Sequence, residues 1–351
     1  MITPVRTGRL EFKQVRARLT PGRLVTVLAV LSVALVFVTA FAVAFGSEHV
    51  SLGAILRIIE AEITGRAVDI AAEQRAIIAD IRLPRVLMGL VVGAALSVAG
   101  AAYQALLRNP LAEPYVLGVS TGAAVGAILA TLFAGALPLS RPFAAFVGAL
   151  VTIGAVQLLS QSRQGASSER LILAGVIINT FLSSMVIYLV TSVADQRQRS
   201  VISWLMGDLS AEARLLPLVS VFIVIGILVI YANSRSLNLL MVGEDEALAL
   251  GVEVKQVKAT VYIAASLITG AAVAVSGVIG FVGLVIPHMI RLAGGSDNRL
   301  VVPASALVGA TFLVVTDTIA RTAVAPRELH IGVITAMIGA PVFVYLLRKT
   351  S

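Results

Sequence analysis

Cysteine is absent from the sequence and charge is scarce. The first absence excludes disulfides, thiol catalysis and cysteine-ligated metal. Only three histidines occur, His49, His288 and His330, too far apart to show metal-ligand spacing. Charged residues make up 13% of the 351 positions, against roughly 25% in a soluble domain. There is no Gly-x-x-x-x-Gly-Lys-Ser/Thr phosphate loop, so ATP is not bound in that way, and no His-Glu-x-x-His metal motif. No Asp, Glu or Lys lies clearly in the middle of an apolar stretch; Asp317 comes nearest. Proton-coupled carriers need intramembrane ionisable groups. Their scarcity weighs against a secondary transporter and an intramembrane protease.

What is present is apolar: 58% of the residues are hydrophobic. The charges form short islands between long uncharged stretches, the alternation expected of membrane spans and loops. A net charge of +8 is compatible with nucleic-acid binding, but the islands favour the other reading, Lys and Arg marking the cytoplasmic ends of spans.

The uncharged stretches are residues 24–47, 86–107, 114–140, 142–162, 171–194, 215–234, 259–290, 300–316 and 331–347. Each shorter one fits a single helix of about 20 residues. The first is longer than the h-region of a signal peptide, about 7–15 residues, and reads as a span. The stretch 259–290 is too long for one helix and contains Gly270, Gly277, Gly280, Gly283 and Pro287. It divides near residues 276–280 into a full helix and a shorter, broken one, with exact boundaries in 259–299 left open. The fold class is therefore all-α and polytopic, with ten spans, both termini on one side, an N-terminal segment 1–23 and one transmembrane domain over 24–349. Residues 48–85 form an external loop with a short helix near 52–63.

With the N-terminus inside, the inner segments carry 16 Lys and Arg: Arg6, Arg9, Lys13, Arg16, Arg18, Arg23, Arg108, Arg163, Arg170, Arg235, Lys255, Lys258, Arg291, Arg299, Arg348 and Lys349. The outer segments carry the remaining 11 of 27. The bias places both termini in the cytoplasm.

An internal repeat supports the topology. Gly93-Ala94-Ala95-Leu96-Ser97-Val98-Ala99-Gly100 matches Gly270-Ala271-Ala272-Val273-Ala274-Val275-Ser276-Gly277 at five of eight positions, and Pro110 aligns with Pro287 at the same offset of 177. The copies cross in opposite directions, as in inverted-repeat transporters; chance similarity between two Gly/Ala-rich helices is the competing reading. Gly89, Gly93, Gly100, Gly270 and Gly277 allow close helix packing.

Three soluble segments stand out. Ile81-Arg82-Leu83-Pro84-Arg85 reads as a rigid, basic external patch, either an interfacial anchor or a docking surface for an acidic partner. The inner segment 233–258 contains Glu244-Asp245-Glu246-Ala247-Leu248-Ala249-Leu250-Gly251 and reads as two short helices broken at Gly251, longer than a connector needs to be. Arg108-Asn109-Pro110-Leu111-Ala112-Glu113-Pro114 cannot continue a simple helix and is either a closing element or a plain loop.

At these motifs the chain resembles the ABC-transporter permeases for iron-siderophores, haem and cobalamin (FecCD-type). The resemblance covers nearly the whole chain. Its most specific pieces are Arg82-Leu83-Pro84-Arg85, the Gly93 to Gly100 repeat, Asn109-Pro110-Leu111-Ala112-Glu113-Pro114, Leu117-Gly118-Val119-Ser120, Leu173-Ala174-Gly175-Val176, Trp204-Leu205-Met206-Gly207, Gly280-Phe281-Val282-Gly283-Leu284-Val285-Ile286-Pro287-His288, Ile331-Gly332-Val333 and Gly339-Ala340-Pro341.

The resemblance implies a non-enzymatic, multi-pass subunit of an importer in the bacterial inner membrane. It pairs with a second permease copy, two cytoplasmic ATPases and a periplasmic binding protein. The cargo is a ferric siderophore, haem or cobalamin. The chain holds no cofactor; ATP and Mg belong to the ATPase, and nucleic acid is no partner. Residue by residue, the resemblance places binding-protein docking at Arg82, Arg85 and Arg321. It places the cytoplasmic gate at Asn109, Leu111, Ser168 and Glu169, where Glu169 departs from a small hydroxyl. ATPase coupling falls at Glu244, Asp245, Ala249, Leu250 and Gly251 within 233–258. Asn179, Ser183 and Ser184 line the pathway or form interhelical hydrogen bonds. His330 replaces a common proline as a variable loop residue or a cargo contact, and His288 reads as structural. A secondary carrier and a membrane scaffold or sensor are the competing functions.

Overall fold

The computed structural model describes residues 19–46, 72–133, 140–160, 168–193, 195–324 and 327–350, with four isolated helical positions (53, 57, 60 and 64) between the first two ranges. The N-terminal segment 1–18 and most of the helix expected at 52–63 lie outside the described residues. No strand occurs among those described.

Among the described residues the α-helices longer than four residues are, in chain order, α1 (Pro21–Ala44), α2 (Leu83–Leu106), α3 (Val119–Leu132), α4 (Arg141–Ser160), α5 (Ser168–Ser192), α6 (Asp195–Leu205), α7 (Leu216–Ala232), α8 (Ser234–Val242), α9 (Glu244–Ala249), α10 (Val254–Ser276), α11 (Val282–Gly294), α12 (Asn298–Thr322) and α13 (Ile331–Thr350). Among the described residues eight helices are long and apolar enough to cross a membrane, and α3 and α11 are shorter apolar helices. Together they make the ten spans expected. The long stretch divides where its glycines stand: α10 ends at Ser276, and Gly277 takes a positive φ of 66°.

Two expectations are corrected. Residues 72–75 are already helical, before the span expected from residue 86, and a π-helical stretch, Ala76–Arg82, leads directly into α2. Pro84 has no N–H to donate, and an irregular turn just before it accommodates that loss. Arg82 and Arg85 therefore sit within a continuous helical run and not in a loop. The second short helix expected after Gly251 is also not separate. Gly251, with φ of 80°, ends the turn after α9, and residues 254–258 are the first turn of the long α10.

The helices sort by burial. In α2 and α10, 78% of the apolar window is buried, against 11% in α1 and 17% in α5. Small residues explain the two central helices. A Cβ at Gly93 would collide with the Gly309 carbonyl oxygen of α12, and one at Gly100 with the Gly283 carbonyl oxygen of α11. Backbones that close leave no room for a methyl group.

The helices that carry the two repeat copies pack antiparallel: the C-terminal end of α2 and the first turn of α10 meet at Glu244 through Arg108 and Lys258. Tyr103 of α2 hydrogen-bonds Ser266 of α10 at 2.6 Å. Each copy is followed by an irregular segment and a short helix whose preceding residue is left-handed, Gly118 (φ 77°) before α3 and Phe281 (φ 69°) before α11. This is the inverted repeat the sequence shows, with one broken element in each half.

Candidate functional site

Charged residues gather at two opposite ends of the helix bundle. At one end Arg85 of α2 meets Asp317 and Arg321 of α12. Arg85 Nε donates to Asp317 Oδ1 at 2.9 Å, and Arg321 Nε donates to Asp317 Oδ2 at 3.0 Å. Glu328, in the turn before α13, accepts from Arg85 Nη1 at 2.6 Å. Arg82 Nη1 donates to the Val43 and Ala44 carbonyls, both at 3.2 Å, at the C-terminal end of α1. Arg321 Nη2 also reaches the Ala42 carbonyl at 3.3 Å.

This corrects the exposed basic patch. Arg82, Arg85 and Arg321 are only 4%, 8% and 9% exposed. A buried guanidinium must be paired or hydrogen-bonded, and Asp317 together with the freed carbonyls of α1 meets that demand. The pairing of Asp317 with Arg321 at i, i+4 is readable from sequence. The arrival of Glu328 from 243 positions away is not. Beside this cluster lies a cavity of about 180 Å³ lined by Arg85, Ser203, Asp208, Ser210, Glu328 and His330.

At the opposite end, Glu244 Oε1 accepts from Lys258 Nζ at 2.6 Å and from Arg108 Nη2 at 3.3 Å. One carboxylate thus joins the start of α9, the base of α10 and the turn that follows α2. Arg108 adopts a positive φ of 49°, rare for a residue with a side chain. Asn109 Oδ1 accepts from the Leu111 N–H at 2.9 Å, closing a tight turn that leaves Leu111 exposed. Asp245, Ala249, Leu250 and Gly251 are also exposed. The apolar Val242, Leu248 and Leu250 are 69%, 57% and 67% exposed. They lie outside the candidate spans.

Behind this end Arg291 of α11 is buried at 4% exposure. Its guanidinium donates to the Ala101 carbonyl and Asn298 Oδ1, both at 3.1 Å, to the Ser296 carbonyl at 3.3 Å and to Met241 Sδ of α8 at 3.6 Å. Asn238 of α8 donates to Asp297 Oδ1 at 2.8 Å and accepts from the Asn298 backbone N–H at 2.7 Å.

The remaining site residues are more dispersed. Ser168 and Glu169 open α5, and Glu169 is exposed in its first turn; nothing about the Ser168 side chain is described. Asn179 of α5 accepts a short hydrogen bond from the Thr121 hydroxyl of α3. Ser184 is exposed and donates to the Thr180 carbonyl of its own helix at 3.1 Å. Ser183 is half-buried. His288 is buried edge-on against Phe343, ring centroids 5.9 Å apart.

A ten-helix bundle in two inverted halves, with most of its charge at its ends and a helical segment outside the spans at one of them, defines a transport permease. The chain belongs to the FecCD transport family, whose model matches residues 34–349. It is 45% identical over 312 residues to the ABC transporter permease protein YvrB of Bacillus subtilis, covering 87% of this chain and 88% of that one. It is 42% identical to the cobalamin import system permease BtuC of Halobacterium salinarum, over 78% of this chain and 73% of that one. It is 43% identical to the hemin transport system permease HmuU of Yersinia pestis, over 77% and 82%. A solved structure described as an inward-facing conformation of a metal-chelate type ABC transporter superposes with a TM-score of 0.80 at 31% identity, over 92% of this chain and 99% of that one. The chain is thus an ABC importer permease of this type.

Proposed function

We infer that this chain is the membrane-spanning half of a metal-chelate importer, working as one permease unit over residues 24–349 and paired with a second copy of itself. Cytoplasmic ATPases dock on the Glu244 end, and a soluble binding protein delivers cargo at the Arg85 end. The inward bias of Lys and Arg supports this orientation, with both termini cytoplasmic and the chain in the inner membrane. ATP and Mg stay with the ATPases. Asn109 and Leu111, with Ser168 and Glu169, form the inner gate, and the open face of α5 carrying Ser183 and Ser184 borders the pathway.

The observation that carries this reading is the Arg108–Glu244–Lys258 bridge. It fixes the start of the exposed acidic and apolar segment to the turn that holds Asn109 and Leu111. A push on α9 is therefore a push on that turn.

The burial of the arginines sharpens the docking proposal. Arg85 already holds Glu328, whose side chain is 54% exposed. An incoming carboxylate engages Arg85 by displacing Glu328, while Asp317 keeps its place.

The cargo class follows the solved metal-chelate relative. Relatives named for cobalamin and for hemin are almost equally similar, at 42% and 43%, so overall identity does not choose between them. The test is uptake by proteoliposomes holding the permease with its co-purified ATPase and binding protein, offered haem, cobalamin and ferric siderophores in turn. ATP-dependent uptake of one chelate is the expected result. Ion-gradient-driven uptake by the permease alone would overturn the proposal.

A further inference from the structure

The short helix α11 begins inside the membrane, and a carboxylate meets it there. Its 13 residues cover about 20 Å of a hydrocarbon core about 30 Å thick. Its C-terminal end is fixed at the Glu244 end of the bundle, where the Gly294 carbonyl accepts from Arg23 Nη2 at 3.2 Å. Phe281, at its N-terminal end, therefore lies well within the membrane. Irregular backbone at that depth is tolerated only inside protein or beside a water-filled path.

The first N–H groups of a helix have no partner within it. The residue before α11 supplies no capping side chain. Glu113, from the segment between α2 and α3, does so from a distance: its Oε1 accepts from the Phe281 N–H at 3.3 Å. A carboxylate suits the positive end of a helix dipole. Phe281 carries a positive φ of 69°, a strained state for a bulky residue. A Cβ at Gly339 of α13 would meet the Phe281 side chain at 2.5 Å, so Phe281 is held from the other side as well.

The rest of α11 is held tightly. Pro287 lacks an N–H and leaves the Gly283 carbonyl without its helical donor. Gln104 Nε2 of α2 supplies one, at 3.5 Å to that carbonyl and 3.1 Å to the Leu284 carbonyl. Near the other end, Arg291 reaches Met241 of α8 and Asn298 of α12.

We propose that Glu113 is a positioning residue of the inner gate, linking the Asn109–Leu111 turn to α11 so that movement of residues 233–258 reaches the gate from both sides. The near side is the direct Arg108–Glu244 bridge. The far side runs from α8 through Arg291 along α11 to Phe281 and Glu113. This inference rests on the proposed gating and coupling roles. The sequence motif places Glu113 between two prolines, which limits the freedom of the chain that carries it.

The test uses the assembled complex with its ATPase in proteoliposomes. The chain has no cysteine, so a single L111C, read on the separated permease band, reports gate accessibility by thiol labelling without background from this chain. In the otherwise native chain, labelling should change with ATP. If it does not, the gate assignment itself fails and the inference falls with it. With that response in hand, E113A should hydrolyse ATP and yet lose both the labelling response and transport, by about tenfold, as expected for a broken coupling of ordinary size. E113Q keeps an acceptor oxygen and should retain transport within about twofold. If E113A fails to assemble, E113D decides. It keeps the charge but shortens the reach, and it should show weakened coupling. Native coupling in E113A or E113D overturns the proposal. So does an E113Q as defective as E113A, which would assign Glu113 a charge role toward cargo.

Discussion

The two charged ends of the bundle are built on opposite principles. At the Arg85 end one carboxylate, Asp317, serves two guanidinium groups, and the side chains of Arg85 and Asp317 are 9% and 2% exposed. At the Glu244 end one carboxylate also serves two cations, but Arg108 and Glu244 are 42% and 33% exposed. The first arrangement is expensive to open, because each charge depends on the others for its solvation. The second is cheap to open on the Arg108 side, where water can replace either partner, whereas Lys258, its side chain 9% exposed, stays buried against Glu244.

The sharpest way to break the comparison is to remove the shared carboxylate at the rigid end. D317N leaves Arg85 and Arg321 buried with their common counter-ion gone. Removal of one partner from a buried pair costs about 3–5 kcal/mol, so D317N should lower the thermal unfolding midpoint in detergent far more than any change at the other end. E328Q is the control. Glu328 is 54% exposed, and its loss should cost only about 0–1 kcal/mol. The same substitution weakens the hold on Arg85, so E328Q should bind the acidic binding protein more tightly, measured by surface immobilisation. A D317N protein as stable as E328Q would show that the cluster is not a clamp.

The contrast also explains how much was legible in the sequence. The ten spans are visible because uncharged runs and membrane thickness share one length scale. The break after Ser276 is visible because glycines interrupt the run. The inverted repeat is visible because Gly93 and Gly100 meet real backbone contacts that only small residues permit. The burial of Arg82, Arg85 and Arg321 is not visible. Charge marks the ends of spans in a one-dimensional reading, and it takes the return of α12, the C-terminal end of α1 and Glu328 to cover those arginines. The depth of Glu113 is hidden for the same reason. It lies in a polar, proline-flanked segment that looks like a surface loop, and the short α3 and α11 draw that segment inward.

At the mobile end, E244Q should cost less stability than D317N, because Arg108 and Glu244 are 42% and 33% exposed and Gln keeps an acceptor oxygen for the buried Lys258. Its effect should appear in coupling. Arg108 and Lys258 lose the ionised acceptor that joins the turn at Asn109 to α9 and α10, so less chelate should be transported per ATP hydrolysed by the assembled complex. The expected change is about fivefold, at the low end for an allosteric coupling, because the α11 route remains. Transport per ATP unchanged in E244Q would remove the bridge from the mechanism.

The smallest effect belongs to Asp297, which caps α12 beside the mobile end. Its Oδ1 accepts from the Arg299 backbone N–H at 3.0 Å and from Asn238 at 2.8 Å, and its Oδ2 accepts from Arg299 Nη2 at 2.6 Å. Burial works to raise this carboxyl, but the Arg299 and Asn238 hydrogen bonds and the Arg299 charge outweigh it and hold the group below the usual carboxylate range. A carboxyl depressed in the folded state stabilises at pH values above its unfolded value, about 3.9, and loses that contribution as pH falls through the folded value. D297N retains a capping oxygen and loses only the ion pair with the 42% exposed Arg299, so its deficit should be below about 1 kcal/mol. That deficit should be constant from neutral pH to about pH 5 and shrink below about pH 4, measured by unfolding in detergent across the acid range. A deficit that persists undiminished in acid would mean that the carboxylate charge contributes nothing and that the cap alone, with its Asn238 bond, secures α12 to α8.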